Sequence, residues 1–433
     1  ELIARLVGSE MCIRDRLLIE HKLSNISKIG RSNLIGNDTF FNNISTDTRV
    51  LSKGDIFLAL GGSNYDGHDF INEAFDKGAS CVISEKYLTG KTYIKTENSF
   101  LFLEKLANFQ RSKFKKHIIA ITGSNGKTST KEILFQIIDG LYENKDFVFK
   151  SPGNWNNKLG LYLSLLGLKN NHELAIFEIG TNAEGEIKEL ASFLKPNIGV
   201  ITNIGISHLE GLKNIDGVFE EKTDLFSFVS SNGTCLIRAK NEYLEKAKEK
   251  VKKRKKIFLT LKETQSFDQN FEMAEAVISC LPEKIKKKYH SSKQNIEDLE
   301  KKSTVPGRQK LLIGKNKVNL IDDTYNANPD SFRAAFQKIR TMSYKNKICV
   351  MGKMNELGDQ SQYLEDKVIK DALDIFDQVI ALNLDSNIKA NNFKIVNSES
   401  IFKNLEMFIN KDSVILFKAS RSVKMEEIVK LFL

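Results

Sequence analysis

Residues 117–132 read HIIAITGSNGKTSTKE, an apolar run that enters a loop with two glycines and continues into a helical pattern. The apolar run predicts a buried strand, and the pattern from Lys127 to Leu141 predicts a helix. In this order, glycines let the backbone amides turn towards an anion, and the helix N-terminus adds positive potential. The stretch therefore predicts a strand, a phosphate-binding loop and a helix at the centre of an α/β fold.

The loop carries the residue types that nucleotide chemistry requires. Lys127 can reach terminal phosphates, and the hydroxyl of Thr128 can bind Mg²⁺. The usual spacing, G-x-x-x-x-G-K-T, would put the first glycine at Ile121, so this loop is a shortened variant. The plain alternative is a glycine-rich turn before a surface lysine, which the strand, loop and helix order disfavours. The candidate phosphate-binding residues of the loop are Gly123, Ser124, Asn125, Gly126, Lys127, Thr128 and Ser129.

Strand and helix patterns alternate along most of the remaining chain, which predicts parallel sheets covered by helices. Apolar runs such as LAIFEI (174–179) and IGVITN (198–203) are typical of buried strands. A Lys-rich polar stretch at 284–303 precedes a further set of strand patterns, so a third α/β domain is predicted from residue 304. Helices are predicted near residues 70–77, 100–114, 127–141, 184–193, 215–228, 331–341 and 363–376.

Length and composition exclude several classes of protein. The 433 residues are enough for two or three domains of the usual size, about 100–150 residues each. No apolar run approaches the roughly 18–20 residues that a membrane helix needs. Five scattered cysteines without a C-x-x-C pair exclude a disulfide framework or a zinc site and predict a reduced, cytoplasmic setting. Residues 1–16 carry no secretory signal and look like translated adapter sequence, so we exclude them from the fold.

The net charge of +10 raises nucleic acid as a partner. Most of the excess lies in one segment, KAKEKVKKRKK (246–256), which holds eight basic residues and one acidic residue. Lysines outnumber arginines, and no aromatic residues are interleaved for stacking bases. We therefore interpret the segment as a solvated helix and expect no nucleic-acid partner.

The phosphate loop and the stretches on either side of it resemble those of the Mur ligases, which build the peptide of bacterial cell-wall precursors. The resemblance implies a three-domain Mur ligase architecture, with a UDP-substrate-binding domain at 17–96, a central P-loop domain with a parallel sheet at 97–303 and a C-terminal Rossmann-like domain at 304–433. The similar stretches are STDTR (45–49), NYDGHDF (64–70), TGSNGKTS (122–129), PGNWNNKLG (152–160), IFEIGTNAEGEI (176–187), TNIGISHLEG (202–211), EEKTDLF (220–226), VPGR (305–308), IDDTYNANPDS (321–331), MGKMNELG (351–358) and KASRSVKMEE (418–427).

Within the family, DDTYNANP resembles the member that adds D-alanyl-D-alanine, and the D-N-P-R signature of the diamino-acid-adding member does not occur. Folylpolyglutamate synthase shares the ATP loop but lacks the STDTR and DGHDF stretches. The resemblance implies ATP-dependent ligation of D-alanyl-D-alanine to UDP-N-acetylmuramoyl-tripeptide through an acyl phosphate. It also implies ATP and two Mg²⁺ ions as cofactors and a monomeric enzyme that does not insert into a membrane.

The resemblance implies catalytic roles for Lys127, Glu178, His208, Lys222 and Arg308. Both reaction steps gather negative charge, so cations and Mg²⁺ should surround the phosphates. Thr128, Glu178 and His208 are the implied Mg²⁺ ligands, joined by Lys222 if it is carbamylated, because a carbamate replaces a cation with anionic oxygens. Plain alternatives stay open: Glu178 could cap a helix, His208 could be a structural histidine and Lys222 could be an exposed lysine in ion pairs.

The remaining implied contacts concern the nucleotide and the two substrates. The STDTR and DGHDF residues resemble those that hold the uridine nucleotide, although turn chemistry explains the same residue types. Asparagines can bind a substrate arm without adding charge, and a basic residue in the third domain can pair with the dipeptide carboxylate. The candidates for ATP are the seven loop residues 123–129 together with Arg308, Asp323 and Asn326. The candidates for the substrates are Ser45, Asp47, Arg49, Asp66, His68, Asn154, Asn156, Asn157, Asn328, Lys418, Ser420 and Arg421.

Two features depart from the family pattern. The adenine-side signature H-N-x-x-N appears only as DQNFE (268–272), and the central domain is short between His208 and Arg308. Three functions therefore compete. They are the ligase or another Mur-type amino-acid ligase, a non-catalytic relative that binds the UDP-linked precursor, and a nucleic-acid-dependent ATPase supported by the net charge alone.

Overall fold

The computed structural model describes residues 21–62, 66–251, 255–260, 266–292 and 306–433, with only the backbone described for 266–268. The described chain separates into two compact units. The first unit comprises the described residues through His117 together with Asp146–Ala175, and the second comprises Ile118–Lys145 and the described residues from Ile176 onward. The predicted leader, residues 1–16, lies outside the described residues, as do residues 293–303 of the Lys-rich stretch and Asn64, Tyr65 and Val305 of the motifs. The domain boundaries at 97 and 304 stay predictions.

Helices and strands alternate along the chain, as the sequence predicts. The helices are α1 (Leu23–Gly30), α2 (Ile71–Asp76), α3 (Ser99–Lys113), α4 (Lys127–Leu141), α5 (Lys158–Leu166), α6 (Glu186–Leu194), α7 (Leu209–Leu212), α8 (Ile215–Ser227), α9 (Asn241–Lys250), α10 (Ser266–Ile278), α11 (Glu283–Ser291), α12 (Pro329–Arg340), α13 (Ser361–Leu373), α14 (Ile401–Leu405) and α15 (Met425–Lys430). The strands are β1 (Asn33–Ile35), β2 (Ile44–Ser45), β3 (Ile56–Leu58), β4 (Cys81–Ser84), β5 (Tyr93–Lys95), β6 (His117–Thr122), β7 (Val148–Lys150), β8 (Leu174–Glu178), β9 (Ile198–Ile201), β10 (Thr234–Ala239), β11 (Lys255–Thr260), β12 (Lys310–Ile313), β13 (Asn319–Asp323), β14 (Asn346–Met351), β15 (Gln378–Leu382), β16 (Phe393–Val396) and β17 (Ser413–Lys418). None of the helices in the described part of the chain is both long and apolar enough to cross a membrane.

The first unit contains a five-stranded sheet with the order β1-β5-β4-β3-β2. Strand β1 is antiparallel to β5, and the other neighbours are parallel. Phe57 of β3 and Val82 of β4 are buried with Ile71 of α2 in one apolar cluster. The apolar runs IFLAL (56–60) and CVIS (81–84), with the helical pattern at 70–77 between them, predict a small α/β unit, and the structure contains it.

The second unit contains the phosphate-loop sheet, in which the strand order runs β11-β10-β9-β6-β8. The pairs β6–β9, β9–β10 and β10–β11 are parallel. Strand β6 is buried from Ile118 to Thr122 and leads into the loop, and α4 begins at Lys127, as predicted. Because parallel strands end at the same edge of a sheet, Thr202 after β9 lies at the edge where the loop leaves β6. Glu178 at the end of β8 also reaches this edge, where it contacts Thr128.

The second unit also contains the C-terminal sheet, with the order β12-β13-β17-β14-β15-β16. Only β12 among these strands is antiparallel to its neighbour. Helix α12 begins two residues before its predicted start, because Asn328 caps the helix by accepting from the backbone N of Ser331 and Pro329 occupies the first turn. The parallel, helix-covered architecture predicted for this part of the chain is confirmed, apart from the antiparallel edge strand.

The interpretation of residues 246–256 as one solvated helix is wrong. Helix α9 ends at Lys250, residues 252–254 lie outside the described residues, and Lys255–Thr260 form the edge strand β11. The apolar IFL that follows the lysines pairs in parallel with β10 and favours a strand. Lysines on an edge strand also discourage pairing with another chain.

Candidate active site

The backbone of the phosphate loop adopts positive φ angles at its two glycines. Gly123 has a φ of 146° and Gly126 a φ of 78°, both in the region that favours glycine. A Cβ on Gly126 would collide with Oδ1 of Asn270, and a Cβ on Gly123 would collide with Oγ1 of Thr202. The loop therefore requires glycine at both positions.

Contacts with the segment after β9 hold the loop in shape. The backbone N of Asn125 donates to Oδ1 of Asn203 at 2.8 Å, and Oγ1 of Thr202 donates to the Asn125 carbonyl at 2.5 Å. The hydroxyl of Ser124 donates to the Gly205 carbonyl at 2.9 Å and accepts from the Gly205 N at 3.0 Å. Loop residues predicted to bind ATP are therefore held by Thr202, Asn203 and Gly205, which the loop sequence alone does not identify as their partners.

Lys127 folds back over the loop. Its Nζ donates to the carbonyl oxygens of Gly123 at 2.7 Å and Ser124 at 3.4 Å. Burial lowers the pKa of Lys127, the nearby Glu178 opposes this effect, and the charge of Arg308 adds to it. The alternative of a plain surface lysine does not fit a partly buried side chain with two carbonyl partners.

A group of polar side chains meets at the start of α4. Oγ1 of Thr128 donates to Oε2 of Glu178 at 2.7 Å, and Nη2 of Arg308 donates to Oγ1 of Thr128 at 2.9 Å. Glu178 is only 1% exposed. Nζ of Lys131, also in α4, lies 3.8 Å from the same Oε2. Three predicted site residues from separate segments are therefore in direct contact, and Lys131 joins them.

His208 lies next to a carboxylate that was not among the residues predicted for the site. His208 precedes α7 and has a backbone φ of 53°. Nδ1 of its imidazole is 2.6 Å from Oε2 of Glu356, which lies in the MGKMNELG stretch. Burial lowers the pKa of His208, and the contact with Glu356 opposes this effect. The same contact is the main cause of a lowered pKa at Glu356. The structure thus supplies a partner that orients the imidazole, and a role for His208 in binding Mg²⁺ stays a prediction.

Lys222 is buried in α8, with an exposed fraction of 1%. Burial lowers its pKa well below the ordinary value, and Lys127 acts in the same direction, while Glu221 and Glu356 oppose both. The carboxylate of Glu221 accepts hydrogen bonds from two backbone amides at 2.7 Å each. The alternative of an exposed lysine in ion pairs is therefore wrong, because Lys222 does not reach the surface.

The C-terminal candidates lie near the ends of β13 and β17. Nζ of the buried Lys418 donates to Oδ2 of Asp323 at 2.7 Å and to the Asn326 carbonyl at 3.1 Å. Lys418, a candidate for the substrates, is thus bonded to Asp323, a candidate for ATP. The hydroxyl of Ser420 accepts a backbone hydrogen bond at 2.8 Å, and the exposed Arg421 pairs with a glutamate of α15 at 2.9 Å. Their contacts with substrate stay predictions.

The candidates for the uridine nucleotide lie in the first unit. The guanidinium of Arg49 donates to Oδ1 of Asp47 from Nε and to Oδ2 from Nη2, and hydrogen bonds from Arg49 lower the pKa of Asp47 to about 2. Oγ of Ser45 donates to the Asp47 carbonyl at 2.9 Å. Nδ1 of the buried His68 lies 2.6 Å from Oδ1 of Asp66, and hydrogen bonds from His68 lower the pKa of Asp66 to about 2. These contacts shape two turns, and uridine binding stays a prediction.

Three asparagines of PGNWNNKLG precede α5 in the chain. Oδ1 of Asn157 accepts from the backbone N of Gly160 at 2.9 Å and caps the helix. Asn154 is exposed, and Asn156 is partly buried. Capping accounts for Asn157 locally. Contacts of all three with the substrate arm stay predictions.

The donors brought together in the second unit suit one kind of metal ion. Among the described residues, no three His, Cys, Asp or Glu side chains are placed to hold a metal ion by themselves. The structure does bring together the hydroxyl of Thr128 and the carboxylate of Glu178, which are hard oxygen donors. Mg²⁺ is commonly bound through one or two such groups, several waters and the phosphates of its substrate. The residues present therefore fit Mg²⁺ better than a metal that needs a complete protein cage.

Known proteins resemble this chain along most of its length. Residues 121–312 match the Mur ligase middle domain, residues 307–430 the Mur ligase glutamate ligase domain and residues 41–101 the Mur ligase family catalytic domain. The UDP-N-acetylmuramoyl-tripeptide--D-alanyl-D-alanine ligase of Rickettsia prowazekii (strain Madrid E) is 32% identical over 91% of this chain and 96% of its own length. This chain belongs to the Mur ligase family.

Solved structures agree with this membership. MurF from Acinetobacter baumannii matches this Mur ligase with a TM-score of 0.80 and 25% identity, over 94% of this chain and 97% of that chain. MurF ligase from Thermotoga maritima in complex with ADP matches with a TM-score of 0.74 and 27% identity, over 90% of this chain and 97% of that chain. The α/β fold predicted from the phosphate loop is therefore confirmed.

The altered DQNFE segment of this Mur ligase lies beside the phosphate loop. Oγ1 of Thr130 donates to Oδ1 of Asn270 at 3.4 Å, close to Gly126. Glu272 pairs at 2.9 Å with Arg238, a buried arginine near the end of β10. The sequence offered one signal for this pair, a single basic residue inside the apolar run TCLIRA. A charge in a buried strand needs a partner, and Glu272 supplies it.

Proposed function

We propose that this Mur ligase uses ATP to join D-alanyl-D-alanine to UDP-N-acetylmuramoyl-tripeptide. The main support is the contact of Thr128 with both Glu178 and Arg308 at the phosphate loop. The relative in Rickettsia prowazekii is named for this activity, and the related MurF ligase from Thermotoga maritima binds ADP. The proposal includes a cytoplasmic, monomeric enzyme without a nucleic-acid partner.

In the proposed reaction, the terminal carboxylate of the tripeptide takes the γ-phosphoryl group of ATP, and ADP leaves. The amine of the dipeptide then attacks the acyl phosphate, phosphate leaves and an amide bond forms. Lys127 exchanges the loop carbonyls for the terminal phosphates, because an anion is a stronger partner for an ammonium than a carbonyl is. Arg308, held at Thr128, stabilises the charge that develops during transfer.

The proposed cofactor Mg²⁺ offsets negative charge on the phosphates when it is bound. Thr128 and Glu178 hold one ion, and His208 with a carbamylated Lys222 holds a second. The burial and the lowered pKa of Lys222 support carbamylation, since the neutral amine is the form that adds to carbon dioxide and releases a proton. The resulting carbamate offers the anionic oxygens that Mg²⁺ prefers.

A multiple-turnover phosphate-release assay with each substrate omitted in turn tests the function. We expect sustained release only when ATP, UDP-N-acetylmuramoyl-tripeptide and D-alanyl-D-alanine are all present, with a UDP-linked pentapeptide detected by mass spectrometry. Binding of the UDP-linked tripeptide without product would favour the non-catalytic relative. Release that needs a different amino acid would indicate another Mur-type ligase, and release stimulated by nucleic acid would favour the third function.

A further inference from the structure

Lys131 is a basic side chain with no surface exposure. It lies in α4, one turn after Thr128, and its side chain is 0% exposed. Its Nζ is 3.8 Å from Oε2 of Glu178 and 3.5 Å from Oε1 of Glu132. Burial of an ammonium is costly unless opposite charges lie close to it. The carboxylates of Glu178 and Glu132 offset the charge of the buried Lys131 ammonium. The short distance to Glu178 points to an effect of Lys131 on that carboxylate.

Lys131 and Thr128 act on the same atom of Glu178. Residues three apart on a helix share a face, so both side chains project from α4 towards the end of β8. The hydroxyl of Thr128 donates to Oε2 at 2.7 Å, and the ammonium of Lys131 lies 3.8 Å from that oxygen, too far for a hydrogen bond but close enough for charge attraction. A hydroxyl and a cation together restrain one oxygen of a buried carboxylate.

We propose that Lys131 is a positioning residue that fixes the carboxylate of Glu178 for Mg²⁺ and nucleotide. This role rests on the proposed function, in which Glu178 holds the ion. Lys131 differs from Lys127, whose ammonium lies on the carbonyls of the phosphate loop itself. Groups that orient a metal ligand without touching the metal commonly change metal affinity by about 10–100-fold when they are removed.

The test compares Lys131→Met, which keeps the length and removes the charge, with the wild type. Calorimetry measures ADP affinity with and without Mg²⁺, and the ligase assay measures the Mg²⁺ concentration at half-maximal rate. We expect Lys131→Met to reduce the gain in ADP affinity that Mg²⁺ produces by about tenfold or more and to raise the Mg²⁺ midpoint by a similar factor. ADP affinity without Mg²⁺ and the KM for D-alanyl-D-alanine should change by less than about twofold, and Lys131→Arg should restore part of the Mg²⁺ effect.

Lys145→Met is the matched control, because it removes an exposed lysine that lies beyond the end of α4 and pairs with Asp139 of that helix at 3.0 Å. Its Mg²⁺ dependence should equal that of the wild type. Circular dichroism and thermal unfolding check the fold, and Lys131→Gln takes the place of Lys131→Met if the latter does not fold. A folded variant with the wild-type Mg²⁺ effect on ADP binding overturns the role of Lys131. A wild type that makes no product refutes the proposed function instead, while the ADP measurements still test Lys131.

Discussion

Asn125 of the phosphate loop and Asn328 at the start of α12 exchange two hydrogen bonds between their side-chain amides. Nδ2 of Asn328 donates at 2.8 Å, and Nδ2 of Asn125 donates at 3.3 Å. Oδ1 of Asn328 also accepts from the backbone N of Ser331, so the same side chain caps the helix. Asp330 accepts from the backbone N of Ile206 at 2.8 Å nearby. The N-terminus of α12 is thereby tied to the loop that we propose holds ATP.

Asn328→Ser should keep the cap of α12 and remove the side-chain hydrogen bonds to Asn125. Serine can still cap the helix but cannot bond to Asn125 in the same way. We expect the free energy of unfolding, measured with urea, to fall by about 1 kcal/mol in Asn328→Ser and in Asn125→Ala. The double variant should lose little more than either single variant, because both remove the same interaction. Fully additive losses would show that the pair contributes nothing to stability.

Lys127→Ala should abolish turnover while the UDP-linked tripeptide still binds. Removal of one cation from the phosphates costs on the order of 3 kcal/mol of transition-state stabilisation, which lowers the rate about a hundredfold or more. The affinity for the UDP-linked tripeptide should hardly change, since the candidate uridine contacts Asp47 and Arg49 belong to the first unit. Lys116→Ala, at an exposed ion pair, serves as the control. Equal loss of turnover and of substrate binding would contradict this division of roles.

Lys222→Ala should lose activity and regain part of it with acetate or formate. Burial holds the pKa of Lys222 well below its ordinary value, so the amine is available for carbamylation, and a small carboxylate can replace the lost anionic oxygens. The ligase rate is measured with and without the added carboxylate. Lys246→Ala, which removes an exposed lysine, should behave as the wild type in both conditions. Undiminished activity of Lys222→Ala without any carboxylate would refute the role.

ATP affinity should be weak, with little preference for adenine. The DQNFE segment replaces the adenine-side signature, so binding depends on the phosphate loop and Mg²⁺. The Kd values of ATP, GTP and CTP, measured by calorimetry in the presence of Mg²⁺, should lie within about one order of magnitude of each other. Strong selectivity for adenine would show that another segment supplies the contact. Asn270→Ala would then establish whether the side chain beside Gly126 takes part.

Acid should destabilise the first unit through His172. The ring is 4% exposed, its Nδ1 accepts from the backbone N of Lys169 at 3.0 Å, and burial lowers the pKa of His172 from 6.5 to about 4. His172 takes up a proton near pH 6.5 in the unfolded chain but only near pH 4 in the folded protein. Keeping the ring neutral in the fold therefore costs no stability above pH 6.5, and the free energy of unfolding decreases as the pH falls from 6.5 towards 4. The loss reaches about 3 kcal/mol.

Urea unfolding at several pH values between 7.5 and 4 measures this effect. His172→Gln should show a smaller fall in unfolding free energy over that range than the wild type, and His117→Gln, at an exposed histidine, should follow the wild type. The same pH dependence in His172→Gln and the wild type would contradict the assignment to His172.

The sequence by itself determined the strand, loop and helix around residues 117–141. Their periodicity and glycines are local, so the pattern predicted the end of β6 and the start of α4 at Lys127. The same reasoning failed for residues 246–256. A lysine-rich segment can be helical or can form an edge strand, and pairing with β10 decided which one Lys255–Thr260 adopts.

Only the tertiary structure decided which side chains meet and which are buried. Thr128 contacts Glu178 and Arg308, which are 50 and 180 residues away in the sequence. Lys222 lies among acids in the sequence and would be an exposed ion-pairing residue by that pattern, yet it is buried with a lowered pKa. Burial and charge interactions depend on segments that pack from elsewhere in the chain, and a local pattern does not contain that information.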